Sequence, residues 1–266
     1  TDIDKIEGQE HIDKIITVTQ APIGRTPRSN PATYIELFDL IRKEFSKTED
    51  AIKMKLPENY FSFNSKGGRC EACQGGGRKN IEMHFMNDIW IECPECRGKR
   101  FNTEILEVKY RGNTIADVLE MDAHHAMNLF KGNRKIEKIL KVVIEVGLGY
   151  LKLGQNSVTL SGGEAQRIKL AKELCKNDTG KTLYLLDEPT TGLHSADIQK
   201  LLDLLIKLTQ KGNTVIVIEH NIDLIKNAEW VIDLGPGSGD DGGKIVEQGT
   251  PEKIRKCRES KTGQYL

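Results

Sequence analysis

The spacing of apolar residues changes twice along the chain. Residues 1–20 contain the run Ile15-Ile16-Thr17-Val18, which predicts a buried strand ending at Gln20. Residues 21–34, APIGRTPRSNPATY, hold three prolines and a glycine and predict an irregular loop. Ile35, Phe38, Ile41 and Phe45 then recur near helical spacing. In residues 57–101 the pattern becomes alternation. Asn80–Phe85 and Ile89–Glu92 predict two strands, with Met86-Asn87-Asp88 turning between them. Ile105–Tyr110 predicts a further strand, ended by Arg111-Gly112-Asn113. Helices follow. Thr114 can cap one and Asn133 the next, whose Ile136, Ile139, Leu140, Val143 and Val146 line one face before Gly147 stops it.

The last part alternates strand and helix. Thr182–Leu186, Thr214–Ile218 and Trp230–Leu234 read as strands. Ile198–Thr209, with Leu201, Leu202, Leu205 and Leu208 inward, and the shorter Ile222–Asn227 read as helices. Continuous apolar strands separated by amphipathic helices predict a parallel sheet covered on both faces. The strands ending at Gln20, Leu186, Ile218 and Leu234 are expected in one sheet. Gly235–Gly243 is a glycine-rich loop, Lys244–Gln248 an edge strand, and Thr250-Pro251 starts a final helix.

Composition narrows the classes. The 266 residues suffice for two domains, or one large domain with an insertion. Starting at Thr1 within folded-looking sequence, the chain reads as a piece of a longer one. No apolar run approaches the ~20 residues of a membrane span. Formal net charge is zero, which argues against long-range attraction to nucleic acid. The basic stretch Lys131, Arg134, Lys135, Lys138 and Lys141, relieved only by Glu137, reads as a solvated helix face.

The strongest local signal is Cys70-x2-Cys73, nineteen residues, then Cys93-x2-Cys96. Two such pairs flanking a hairpin have the spacing of a structural Zn²⁺ site within about 66–101. A pair of redox disulfides is the alternative. Cys175 and Cys257 lie outside the cluster and read as unpaired thiols.

Three further groups carry phosphate chemistry. Asp187 and Glu188 end a buried strand, at the edge of a parallel sheet where nucleotides bind. An Asp there can hold Mg²⁺ and a neighbouring Glu can polarise a water. Ser161-Gly162-Gly163-Glu164 opens a helix whose free N–H groups suit an anion, or it is an ordinary capped turn. His220 ends the next strand, beside the carboxylates, where it can contact a terminal phosphate. No G-x-x-x-x-G-K-[ST] phosphate loop occurs. The nearest imitation, CKNDTGKT at 175–182, lacks the first glycine and leads into a strand rather than out of one.

Gln20 after a strand, LSGGE at 160–164, LLDEP at 185–189 and His220 after a strand follow the order of an ATP-binding-cassette ATPase. The chain more specifically resembles the UvrA family of the bacterial excinuclease ABC. Segments carrying that resemblance include FSFNSKGGRCEACQGGG (61–77), CPECRGKR (93–100), TLSGGEAQRIKLAKEL (159–174) and IDLGPGSGDDGG (232–243). His194 stands where most cassette ATPases carry Asp. The resemblance implies an α/β fold, an incomplete cassette-type parallel sheet with a helical signature domain carrying an inserted four-cysteine zinc module. It implies residues 1–20 and 181–266 as the second ATP-binding core and 21–180 as the signature domain. Gln20, Ser161, Gly162, Gly163, Glu164 and Asp187 would bind ATP and Mg²⁺, with Glu188 and His220 catalytic. Ser161–Gly163 would serve a nucleotide held mainly by another cassette, and so lie away from Asp187. It further implies a cytoplasmic repair ATPase that dimerises, binds damaged duplex DNA and loads UvrB. An N-terminal cassette absent from these residues is implied too. A non-catalytic zinc and DNA-binding module, or a transporter-type subunit, are the competing readings.

Overall fold

The computed structural model describes residues 5, 7–81, 89–176, 179–235, 237 and 242–266. In chain order the elements are β1 (Lys14–Val18), α1 (Pro31–Tyr34), α2 (Leu37–Ser46), α3 (Glu49–Lys53), β2 (Arg78–Ile81), β3 (Ile89–Glu92), α4 (Thr103–Glu107), α5 (Ile115–Glu120), α6 (Ala123–Leu129), α7 (Arg134–Glu145), α8 (Gly162–Cys175), β4 (Thr182–Asp187), α9 (Ser195–Gln210), β5 (Thr214–Ile218), α10 (Ile222–Lys226), β6 (Val231–Gly235), β7 (Lys244–Gly249) and α11 (Pro251–Lys256). The predicted turn at Met86–Asp88, the strand beyond Ile81 and most of the glycine-rich loop lie outside the described residues.

β1, β4 and β5 form a parallel sheet with β4 central. Val18 pairs with Leu186, and Leu186 with Val217, so the three strands end level. Side chains alternate between faces. Val18, Tyr184 and Leu186 point into the core, where α8 lies against β1 and α9 against β5. The opposite face carries Ile15, Ile216 and Ile218, each more than half exposed. Helices of the described residues therefore cover one face, where the apolar strands predicted two.

The strand ending at Leu234 does not join this sheet. β6 pairs antiparallel with β7 in a separate two-stranded sheet. β7 returns directly across the glycine-rich stretch and takes the edge of β6. β5 is thereby left as an edge strand among the described residues.

The helical half is built on local signals. Thr114 makes a capping box with Asp117 at the start of α5. The Asn133 side chain accepts from the Ile136 amide at the start of α7. At its far end the Gly147 amide donates to the Ile144 carbonyl and Leu148 to Val143, with Gly147 at φ 77°. This is a Schellman close, which the glycine makes cheap. The predicted strand at 105–110 is instead helix α4, because the Asn102 side chain accepts from the Ile105 amide at 3.0 Å. Ile105 and Val108, three apart, are both fully buried. The helix expected through Ile35–Phe45 is broken at Glu36, whose φ is 62°, so α2 starts at Leu37. Its Phe38 meets Phe63 at 5.0 Å between ring centroids, and Phe63 meets Phe101 edge-on at 6.0 Å. This aromatic row anchors the cysteine segment to the helical core.

Candidate functional site

Two sites stand out. The first is made by Cys70, Cys73, Cys93 and Cys96, whose sulfurs all lie within 4.8 Å of one another. Both Cys pairs turn alike. The second cysteine of each is followed by two left-handed residues, Gln74-Gly75 and Arg97-Gly98, and its carbonyl accepts from the amide three residues on. A side chain at Gly75 would overlap the Phe63 carbonyl oxygen, so the first knuckle sits directly on the aromatic row. The Cys73 and Cys96 sulfurs are 3.6 Å apart, and the Gly77 amide donates to Cys73 Sγ at 3.3 Å. Cys93 is fully buried.

Burial pushes the Cys73 and Cys96 thiols up. Burial also acts to raise Cys93, but amide donors at Cys96 and Glu95 outweigh it and bring that thiol down. Several buried sulfurs this close cannot all ionise without a cation among them. The group could hold one metal ion. Next to it Arg100 is half-buried, donating to the Pro27 and Gly154 carbonyls at 3.2 and 3.0 Å with its guanidinium over the Phe63 ring. Desolvation lowers its pKa. Arg100 ties the module to two distant segments.

The second site lies at the carboxyl ends of β1, β4 and β5. Glu188 follows Asp187 with φ 45°, a left-handed conformation that non-glycine residues seldom adopt. Its amide donates to the Ile218 carbonyl at 2.8 Å. The turn aims its carboxylate at His220, with Oε1 3.4 Å from Nε2. Thr191 Oγ1 reaches Glu188 Oε2 at 3.4 Å. Ser161 caps α8 reciprocally with Glu164: its hydroxyl accepts from the Glu164 amide at 3.2 Å, and its own amide donates to Glu164 Oε2 at 2.8 Å. The Tyr150 hydroxyl donates to the other Glu164 oxygen at 2.7 Å. Burial and that carboxylate push the Tyr150 pKa up to about 12. The Gln20 side chain rests against Gly162, where an added Cβ would stand 3.0 Å from Gln20 Oε1.

The start of α8 packs against the loop that follows Glu188. A side chain at Gly163 would overlap the Thr191 carbonyl oxygen. Arg167 Nη1 donates to that same carbonyl at 3.1 Å. Gln166 Nε2 donates to the carbonyls of Val18 at 3.1 Å and Asp187 at 2.6 Å. One buried glutamine thus joins the ends of two strands. Gln166, Arg167, Tyr150 and Glu219 organise this edge and were not read from the sequence. Gln166 and Arg167 donate to backbone carbonyls, and Glu219 accepts mainly from backbone amides, contacts that no side-chain pattern announces.

Comparison with known proteins bears on both sites. A family model described as ABC transporter matches residues 74–191, from the first knuckle through the Asp187 turn. The chain is 57% identical over 265 residues to UvrABC system protein A of Aquifex aeolicus, covering 100% of this chain and 29% of that protein. Against the Thermus thermophilus protein of the same name it is 58% identical over 261 residues, covering 98% and 27%. The chain belongs to the UvrA family. The crystal structure of UvrA2 from Deinococcus radiodurans superimposes with a TM-score of 0.92 at 50% identity, covering 97% of this chain and 32% of that one. The architecture is thus a UvrA-type ABC-ATPase α/β core with a helical region bearing the four-cysteine module. The chain spans less than a third of the length of the curated UvrA relatives it matches. Among the described residues no helix is long and apolar enough to cross a membrane.

Proposed function

We propose that this chain is the C-terminal ATP-binding portion of a UvrA-type protein that recognises damaged duplex DNA in nucleotide excision repair. The observation that carries the reading is the Glu188–His220 pair, 3.4 Å apart at the carboxyl edge of a parallel sheet. Asp187 would hold Mg²⁺, which supplies charge neutralisation on the phosphates. Glu188 would polarise the attacking water and His220 contact the terminal phosphate. Gln20 and Ser161–Glu164 line the same edge, and the open amides at the start of α8 suit a phosphate.

Residues 1–20 and 181–266 form the nucleotide-binding core in this reading, and 21–180 the signature domain. The phosphate loop comes from residues beyond this chain. Its strand has a place beside β5, whose outer edge and exposed Ile216 and Ile218 need cover. Without that loop nothing positions the β- and γ-phosphates, so these 266 residues alone hydrolyse no ATP at a useful rate. The four cysteines hold one structural zinc. Zn–S bonds of about 2.3 Å set tetrahedral sulfurs about 3.8 Å apart, and Cys73 and Cys96 stand at 3.6 Å. Duplex DNA, the UvrB partner and a second copy of the protein are the partners this reading assigns.

Glu188→Gln in a protein extended upstream through its phosphate loop tests the reading. It keeps shape and removes the base, so ATP hydrolysis should fall about 10²–10⁴-fold while nucleotide stays bound. Undiminished turnover contradicts it.

A further inference from the structure

Glu219 stands between the two residues assigned to catalysis. It follows the last residue of β5 and is half-buried. Its carboxylate receives four hydrogen bonds. Oε1 accepts from the Thr190 amide at 2.8 Å and the Thr190 hydroxyl at 2.6 Å. Oε2 accepts from the His220 amide at 2.9 Å and the Asn221 amide at 3.1 Å. An ionised carboxylate offers about four lone-pair sites, so this one is filled by donors alone. Charge-assisted bonds of this kind are the strong ones.

The two oxygens hold different segments. Oε1 grips the turn that follows Glu188, and Oε2 grips the backbone that presents His220. Neither catalytic side chain is fixed by packing. The His220 side chain is 83% exposed and that of Glu188 43%. Glu188 also keeps a left-handed backbone that its neighbours must enforce. We propose that Glu219 is a positioning residue: by clamping Thr190 with one oxygen and the His220–Asn221 amides with the other, it sets the spacing between the Glu188 carboxylate and the His220 imidazole. This rests on the reading of Glu188 and His220 as the hydrolytic pair. Glu219 itself touches no reacting atom.

The test uses the upstream-extended protein and reads kcat and KM for ATP together with the melting temperature. Glu219→Gln replaces one acceptor oxygen by an amide donor, which must face an N–H on one side of the clamp. Misplacement on the ångström scale costs up to about 10²-fold, so kcat should fall roughly 10–100-fold with KM changed less than about 3-fold. Combined with His220→Ala, the loss should not multiply, because both changes act through one contact. Thr190→Val should lower kcat in the same sense, and Thr190→Ser, which keeps the hydroxyl, should lower it less. That pair decides the matter if Glu219→Gln does not fold. A kcat within about 2-fold of the parent in Glu219→Gln, multiplying losses in the double variant, or equal effects of Thr190→Val and Thr190→Ser overturn the clamp. Glu188→Gln and His220→Ala serve as references. If they lower turnover about 10²-fold or more and Glu219→Gln stays within about 2-fold of the parent, the clamp alone is wrong. If they leave turnover intact, the hydrolytic reading fails and the clamp with it.

Discussion

The cysteine module and the sheet edge are built in opposite ways. The four cysteines lie within one short segment, two matching turns present them, and every sulfur needed for a closed site is in this chain. The sheet edge draws Gln20, Gly162, Glu188 and His220 from segments some 200 residues apart, and the group that would hold phosphates is not among them. A local site can be completed by a fragment. A site made where several strands end needs every strand. The contrast predicts that the first behaves as an autonomous metal-dependent unit, and the second as half of a machine.

The largest expected effect is at the local site. Cys93→Ser removes a fully buried sulfur of the cluster and should abolish zinc content and open residues 66–101 to protease. Structural zinc contributes about 10–16 kcal/mol in small zinc peptides. Retained zinc with an intact segment would break the comparison. At the sheet edge, Gln166→Met should destabilise by about 1–3 kcal/mol, because it orphans contacts at both the Val18 and Asp187 carbonyls. Metal content should not change. A melting temperature equal to the parent's would show that Gln166 does not join the strands. The smallest effect concerns Glu173, which lies between Lys14 on β1 and Lys176. Burial acts to raise its pKa, but the two lysines outweigh burial and lower it. A lowered folded pKa gives stability that is present above the unfolded value and lost as pH falls through the folded one. Glu173→Gln should therefore remove a few tenths of a kcal/mol near neutrality and flatten the loss of stability below about pH 4.5. An unchanged acid limb would contradict that assignment.

The same contrast explains what the sequence disclosed. The knuckles were legible because four identical ligands at fixed spacing have few other uses. The sheet edge was legible at its strand ends, since apolar strands terminating in Asp187, Glu188 and His220 place those side chains by topology alone. What held them was not legible. Gln166 and Arg167 lie within α8 and Glu219 follows β5, yet all three bond to backbone groups of distant segments. The strand predicted at 105–110 failed for a local reason, as the Asn102 cap outweighed alternation. The placement of β6 in the parallel sheet failed for a global one, because β7 paired with it first in sequence order.

The central claim is that this chain carries the hydrolytic residues of a nucleotide site whose phosphate-holding part lies outside it. ATP turnover, measured side by side for these 266 residues and for a protein extended upstream through the phosphate loop, tests it most directly. The account predicts hydrolysis by the extended protein, abolished by Glu188→Gln, and none above background by the shorter chain with its zinc in place. Equal turnover by the two would contradict it.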